Sequence, residues 1–115
     1  MSNIAEKLAD TTKLIERLKR DYPTETNAFL SFTARAEAGK ALSIKEKELI
    51  NVALSVAGQC EWCIAIHVKH AFAAGASRDE LVEAGFMAVI MHGGPALMYL
   101  TPLLEALDEF SSHES

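Results

Sequence analysis

Capping boxes and glycine breaks divide the middle of this 115-residue chain into three helices, and this division is the strongest constraint on its fold. Residues 43–46 read Ser-Ile-Lys-Glu, in which serine and glutamate side chains can bond reciprocally to the amides at a helix start. They predict a helix from residue 44 to the break at Gly58-Gln59. A second helix follows over about 60–74, before Gly75, and another capping box at 77–80 predicts a third.

The segments on either side also have helical patterns. Residues 3–20 alternate apolar and charged positions at helical spacing up to Tyr22-Pro23, and residues 24–37 carry a weaker apolar stripe. Pro102 lies inside the last helical pattern and is predicted to kink it or divide it in two. No segment alternates with period two, and no Asn-Gly or Asp-Gly turn is present. We therefore predict an all-α fold, with residues 1–115 forming one domain of about six helices.

Charge and composition exclude several classes of protein. The formal net charge is -5, and no cluster of basic and aromatic residues is present, so we expect no nucleic-acid partner. The apolar runs are shorter than the ~20 residues of a membrane span, and the charged N-terminus does not resemble a secretory signal. Two cysteines three residues apart do not make a secreted-type disulfide framework. These features predict a cytoplasmic protein with no membrane partner.

The sequence GQCEWCIAIHVKH, residues 58–70, contains the reactive side chains. On a helix Cys60, Cys63, His67 and His70 fall on one stripe of roughly 80°. Cys60 lies at the helix start, where unpaired amides favour a thiolate. Cys63 lies four residues before His67, so the imidazole can exchange a proton with its sulfur. We therefore predict that Cys63 is the attacking thiol and Cys60 the resolving one.

An orienting partner for His67 is predicted on the preceding helix. If the two helices pack in an antiparallel arrangement on either side of Gly58-Gln59, Glu48 and His67 lie at similar distances from the turn, roughly 10 to 14 Å. The carboxylate can then meet the imidazole. Glu48 borders an apolar seam with Val52 and Val56, and burial there would tend to raise its pKa toward acid-base use.

Two other interpretations of the cysteine helix remain open. Buried cysteines need no function, although a C-x-x-C pair at a helix start followed by histidine is unusual for that. A zinc site would use Cys60, Cys63 and His67 with Glu48 or His70, but there is no second C-x-x-C or histidine pair to complete a familiar set. The sequence therefore predicts no metal ligands.

The spacing of Glu48 and the segment CEWCIAIH, whose first cysteine follows twelve residues later, resembles the alkylhydroperoxidase D-like branch of the carboxymuconolactone decarboxylase family. The family core resembles about residues 40–100 of this chain, in particular the segments LSIKEKELINVALSVAGQCEWCIAIHVKHAFAAGASRDELVEA and GGPALMY. The resemblance implies an alkylhydroperoxidase D-like helical bundle that assembles as a homo-oligomer, a trimer or hexamer.

The same resemblance implies an enzyme, a thiol-dependent hydroperoxide reductase or disulfide oxidoreductase. Glu48 and His67 would form a proton relay, Cys63 would take the peroxide oxygen, and Cys60 would close a redox-active disulfide. There would be no other cofactor, and a lipoyl or thioredoxin-like dithiol donor would reduce the disulfide. Two alternatives are a lactone decarboxylase that uses Glu48 and His67 as acid and base, and a non-catalytic redox-sensing thiol module.

Overall fold

Three helices begin with a capping box, in which two side chains bond reciprocally to backbone amides at the helix start. In the computed structural model, which describes residues 3–111, the Ser43 hydroxyl accepts from the Glu46 amide at 3.0 Å, and the Glu46 carboxylate accepts from the Ser43 amide at 2.8 Å. Ser77 and Glu80 form the same reciprocal pair. Both predicted capping boxes are therefore confirmed, and a third one, at residues 3–6, was not predicted.

All regular secondary structure within residues 3–111 is helical, which confirms the all-α prediction. The break before the last helix falls at Tyr99, so Pro102 lies in the first turn of that helix, where a missing amide hydrogen is tolerated. One segment is a single turn, which leaves six helices of ordinary length. The helices are α1 (Ile4–Asp21), α2 (Pro23–Glu37), α3 (Ile44–Ala57), α4 (Glu61–Ala73), α5 (Arg78–His92), α6 (Gly94–Met98) and α7 (Leu100–Ser111).

Helix α4 lies at the centre of the bundle and packs against α1, α3 and α7, while α5 packs against α3 and α7. The inward face of α4 carries Ile64, Ala65 and Val68, all without solvent exposure. Gly85 allows α5 and α7 to approach closely, because a β-carbon there would lie 2.7 Å from a methyl carbon of Leu103. No helix in residues 3–111 has the length and apolar character required to cross a membrane.

A three-residue connection, residues 58–60, joins α3 to α4 and makes them antiparallel neighbours. Gln59 adopts the left-handed conformation, with φ 55°, and the Cys60 amide donates to the Ser55 carbonyl at 3.1 Å. Gly75, with φ 94°, ends α4 in the left-handed conformation that its sequence position predicts. The C-x-x-C motif therefore begins directly after the turn, facing the last residues of α3.

Helix α2 packs mainly against α1 and presents apolar side chains to solvent. Phe29 is 63% exposed and Phe32 is 70% exposed. Thr26 is the only residue of α2 that is buried. The apolar stripe that the sequence indicates on this helix is thus left uncovered within a single chain.

The capping boxes predict a pH dependence of stability. Hydrogen bonds from Ser43 hold the pKa of Glu46 below its usual range, since the backbone amide stabilises the carboxylate. A carboxyl with a lowered folded-state pKa stabilises the fold above its unfolded pKa and loses that contribution as pH falls through the folded value. We expect Glu46→Gln to destabilise the protein at pH 7 and to differ less from wild type as pH approaches 3. Urea denaturation between pH 7 and about pH 3 measures this difference in the free energy of unfolding. A difference that does not change with pH would contradict the lowered pKa of Glu46.

Candidate active site

The two cysteines lie at the start of α4 and are joined by a disulfide, with their α-carbons 5.2 Å apart. Cys60 is the N-cap residue, and its sulfur accepts a hydrogen bond from the Cys63 amide at 3.1 Å. Both residues are partly exposed. An amide that points at the Cys60 sulfur favours its thiolate form once the disulfide is reduced. The two sulfurs are therefore bonded to one another at the first turn of the helix.

Glu48 on α3 meets His67 on α4, as the antiparallel register predicted. The Glu48 Oε1 and His67 Nδ1 atoms lie 2.8 Å apart, and the Glu48 residue is only 5% exposed. With a neutral imidazole, Nδ1–H donates to the carboxylate and Nε2 keeps its lone pair. His67 is held with Nε2 free to act as a base, one helical turn after Cys63.

The expected rise in the Glu48 pKa is wrong in sign. Burial of the carboxyl does act to raise its pKa and is the largest single effect. Hydrogen bonds from His67 and Asn51 oppose it, the positive charge that His67 and His70 carry when protonated acts in the same direction, and together they hold the Glu48 pKa below its usual range. Glu48 is therefore an ionised hydrogen-bond acceptor at neutral pH, and it orients the imidazole rather than supplying a proton.

Two further side chains reach the same carboxylate. Asn51, one turn along α3, donates to Oε1 at 3.3 Å, and His70 Nδ1 lies 3.8 Å from Oε2. The His70 side chain is 49% exposed. Its position on the cysteine stripe was the sequence signal for His70, whereas Asn51 was missed and only its spacing of three residues from Glu48 could have suggested it.

Two clefts border the Glu48–His67 pair. One, of about 500 Å³, reaches His67 and Asn51 and is lined by apolar residues that include Phe29, Phe32 and Ile50. The other, of about 390 Å³, is lined by Ile44, Glu48, His70, Ala73 and Ala74. The smaller cleft thus reaches the buried carboxylate itself, whereas the larger one reaches its two partners, Asn51 and His67.

The remaining residues considered from the sequence lie apart from this centre. The Trp62 indole donates to Asp10 on α1 at 3.2 Å, and the Lys7 ammonium lies 4.6 Å from its ring centre. Trp62 therefore ties α4 to α1, in agreement with a packing role. His92 is exposed at the end of α5 and does not join the cluster around Glu48.

The sequence model of the carboxymuconolactone decarboxylase family matches residues 23–106, which is most of the chain and includes every residue of the site. The chain belongs to the carboxymuconolactone decarboxylase family. A family protein from Legionella pneumophila has a closely similar structure, with a TM-score of 0.89 and 40% identity over 94% of this chain and 96% of that one.

Three further relatives extend the comparison. A family protein from Thermotoga maritima, for which a part in the antioxidative response has been suggested, aligns with a TM-score of 0.84 and 25% identity over 95% of this chain and 92% of its own. Uncharacterized protein 4 of the cox locus in Paracoccus denitrificans is 39% identical over 72% of this chain and 75% of its own length. An uncharacterized Cupriavidus necator protein is 28% identical over 96% of this chain and 98% of its own.

Proposed function

We propose that this protein is a thiol-dependent peroxidase that reduces hydroperoxides with its Cys60–Cys63 pair. The observation that carries the proposal is the 2.8 Å contact between Glu48 and His67, one helical turn beyond a disulfide-forming C-x-x-C motif. A base with a fixed tautomer beside a thiol is the arrangement that activates a cysteine nucleophile. The family membership and the antioxidative role suggested for the Thermotoga maritima relative support the same chemistry.

In the first step, His67 Nε2 takes the proton of the Cys63 thiol, and the thiolate attacks one oxygen of the hydroperoxide. The O–O bond breaks, and the leaving alkoxide takes a proton from the imidazolium to give an alcohol. The sulfur loses two electrons and becomes a sulfenic acid, while the peroxide gains them. Glu48 stabilises the imidazolium during this step because its carboxylate is ionised and buried beside it.

In the second step, Cys60 attacks the Cys63 sulfenic acid, an S–S bond forms, and the proton of Cys60 leaves with the hydroxide as water. An external dithiol then exchanges with the disulfide and is itself oxidised to a disulfide. We propose a lipoyl-type or thioredoxin-like donor for this role, with no other cofactor. The cytoplasmic location stays a prediction, and it agrees with the reaction because reducing thiol systems operate there.

The apolar cleft beside His67 indicates which peroxides fit. Its volume of about 500 Å³ and its aromatic lining suit the hydrocarbon part of an organic hydroperoxide, since apolar surface is favourably removed from water there. His67 is one of the residues that line this cleft, so a hydroperoxide group bound beside it would lie one helical turn from Cys63. We therefore propose organic hydroperoxides, rather than hydrogen peroxide alone, as the substrate class.

The deciding experiment follows hydroperoxide loss and free-thiol content together, with a dithiol reductant present. We expect the wild type to consume many equivalents of an organic hydroperoxide per chain, and the variant with both cysteines changed to serine to consume none. A lactone decarboxylase would keep its activity in the double variant. A redox sensor would oxidise once, change shape and turn over slowly with every reductant tested. Either result would overturn the peroxidase proposal.

We also propose that the chain assembles with copies of itself, as a trimer or hexamer. The exposed apolar residues of α2, Phe29 and Phe32, continue into the cleft at His67, so a second chain that covers them would also enclose the site. Light scattering should give a mass three or six times the 12.5 kDa of one chain. We expect Phe32→Glu to lower that mass, whereas Ser31→Glu, a matched charge on the same helix, leaves it unchanged; a monomeric wild type would contradict this assembly.

A further inference from the structure

Glu48, His67 and His70 form a cluster whose ligand chemistry goes beyond the proposed proton relay. The carboxylate comes from α3, and the two imidazoles come from successive turns of α4. One nitrogen or oxygen from each residue lies within 4.8 Å of the others. His67 Nδ1 is 2.8 Å from one carboxylate oxygen, and His70 Nδ1 is 3.8 Å from the other.

We propose that these three side chains bind a divalent transition-metal ion, of which Zn²⁺ is the representative. Two imidazole nitrogens and one carboxylate are a donor set found in three-ligand zinc sites that keep an open position. Calcium and magnesium, which prefer oxygen ligands alone, fit it poorly. This site differs from one built on the cysteines, because none of its three ligands is a thiol.

The distances in the cluster suit such an ion. Ligands about 2.05 Å from a tetrahedral zinc lie about 3.3 Å from one another. The contacts of 2.8 and 3.8 Å join the histidines to different oxygens of Glu48, and the one donor atom taken from each residue lies within 4.8 Å of the others. Binding a tetrahedral ion would therefore draw the three donors closer together through rotation of their side chains.

Charge also favours a cation at this position. The only anionic group in the cluster, Glu48, is 5% exposed, and its carboxylate accepts a hydrogen bond from Asn51 at 3.3 Å. The lysines that flank it on α3 have other partners: Lys45 pairs with Glu80 at 3.0 Å, and Lys47 donates to the carbonyls of Glu37 and Gly39. Within residues 3–111, the side chains that hydrogen-bond or pair with the Glu48 carboxylate are those of Asn51, His67 and His70.

An ion can reach the cluster from solvent. The cleft of about 390 Å³ opens onto both Glu48 and His70, and the half-exposed His70 side chain lies at its edge. A bound ion would occupy His67 Nδ1, which otherwise donates to Glu48. Metal binding and the relay would then exclude each other, so Zn²⁺ should inhibit the protein reversibly, and a chelator should restore it.

The test uses the disulfide form of the full-length protein, because its cysteines cannot then offer thiolates. We expect calorimetric titration with Zn²⁺ to give one site per chain, and Co²⁺ to give visible d–d bands without thiolate charge transfer. His70→Ala and Glu48→Gln should each weaken Zn²⁺ binding by more than about tenfold. His92→Ala, which removes an exposed histidine outside the cluster, is the matched control and should bind as the wild type does.

Three results would overturn the metal site. The first is that Zn²⁺ does not bind saturably to the disulfide form, and the second is that His92→Ala weakens Zn²⁺ binding as much as the cluster variants do. The third is that Zn²⁺ binds only after dithiol reduction, which would assign the ligands to Cys60 and Cys63. The titration contains no peroxide and follows no turnover. Its failure would therefore leave the peroxidase proposal intact, and a protein without peroxidase activity could still bind the ion.

Discussion

Cys63→Ser should abolish peroxide reduction, with a loss on the order of 1,000-fold or more, because a serine hydroxyl cannot replace the attacking sulfur. Cys60→Ser should behave differently. It should react once with a hydroperoxide, release one equivalent of alcohol per chain, and stop as a Cys63 sulfenic acid that no partner thiol resolves. A single-turnover assay with dimedone labelling and mass spectrometry distinguishes the two variants.

The same experiment can show that the roles of the two thiols are the reverse of our assignment. The Cys60 sulfur accepts from the Cys63 amide at the helix start, which gives Cys60 the stronger stabilisation as a thiolate, whereas Cys63 has His67 one turn away. If Cys60→Ser is inert and Cys63→Ser accumulates a sulfenic acid at Cys60, thiolate stabilisation by the helix end decides the nucleophile, and our assignment of Cys63 is wrong. Ser55→Ala, which removes a hydroxyl that donates to the Asn51 carbonyl on α3, is the control for general effects of substitution near the site.

Glu48→Gln should slow the reaction by about 100-fold while leaving the fold intact, since glutamine keeps the size of the side chain and still accepts from His67. The loss follows from the missing charge, because the imidazolium that forms when Cys63 is deprotonated no longer has an anion beside it. Glu48→Ala should in addition lower stability by about 1–3 kcal/mol, because it leaves a cavity and unpaired polar groups on α3 and α4. Steady-state rates and urea denaturation measure the two effects separately.

Glu105→Gln supplies the matched control, since it makes the same change at an exposed position on α7. It should alter neither rate nor stability beyond about 0.5 kcal/mol. If Glu48→Gln retains the wild-type rate, the 2.8 Å contact with His67 serves packing alone, and the relay has no part in catalysis.

Features set by neighbouring residues were predictable from the sequence. The start of α3 at Ile44, its end before Gly58 and the left-handed Gly75 all depend on side chains or backbone conformations within a few positions. The contact between Glu48 and His67 was also predictable, because a three-residue connection between helices leaves little freedom in how they pair. A short connection thus converts spacing along the chain into proximity in space.

Features set by several partners at once were not predictable. The sign of the Glu48 pKa shift depends on the balance between burial, which raises the pKa, and the hydrogen bonds from His67 and Asn51, which lower it. A sequence pattern does not give the number of such hydrogen bonds. The 3.8 Å approach of His70 depends on how α4 is rotated about its axis. The exposure of Phe29 and Phe32 depends on which helices cover α2, which an apolar stripe alone does not reveal.

The turn at Gly58-Gln59 also bears on how quickly the reactive centre can assemble. The ligating and redox side chains fall between residues 48 and 70, so their contacts close short loops, and folding rates rise as contacting residues lie closer in sequence. We expect the α3–α4 hairpin to be an early unit in refolding, formed before α1 docks across α4. A nascent chain would then acquire its paired thiols at an early stage, while the surrounding helices are still being added.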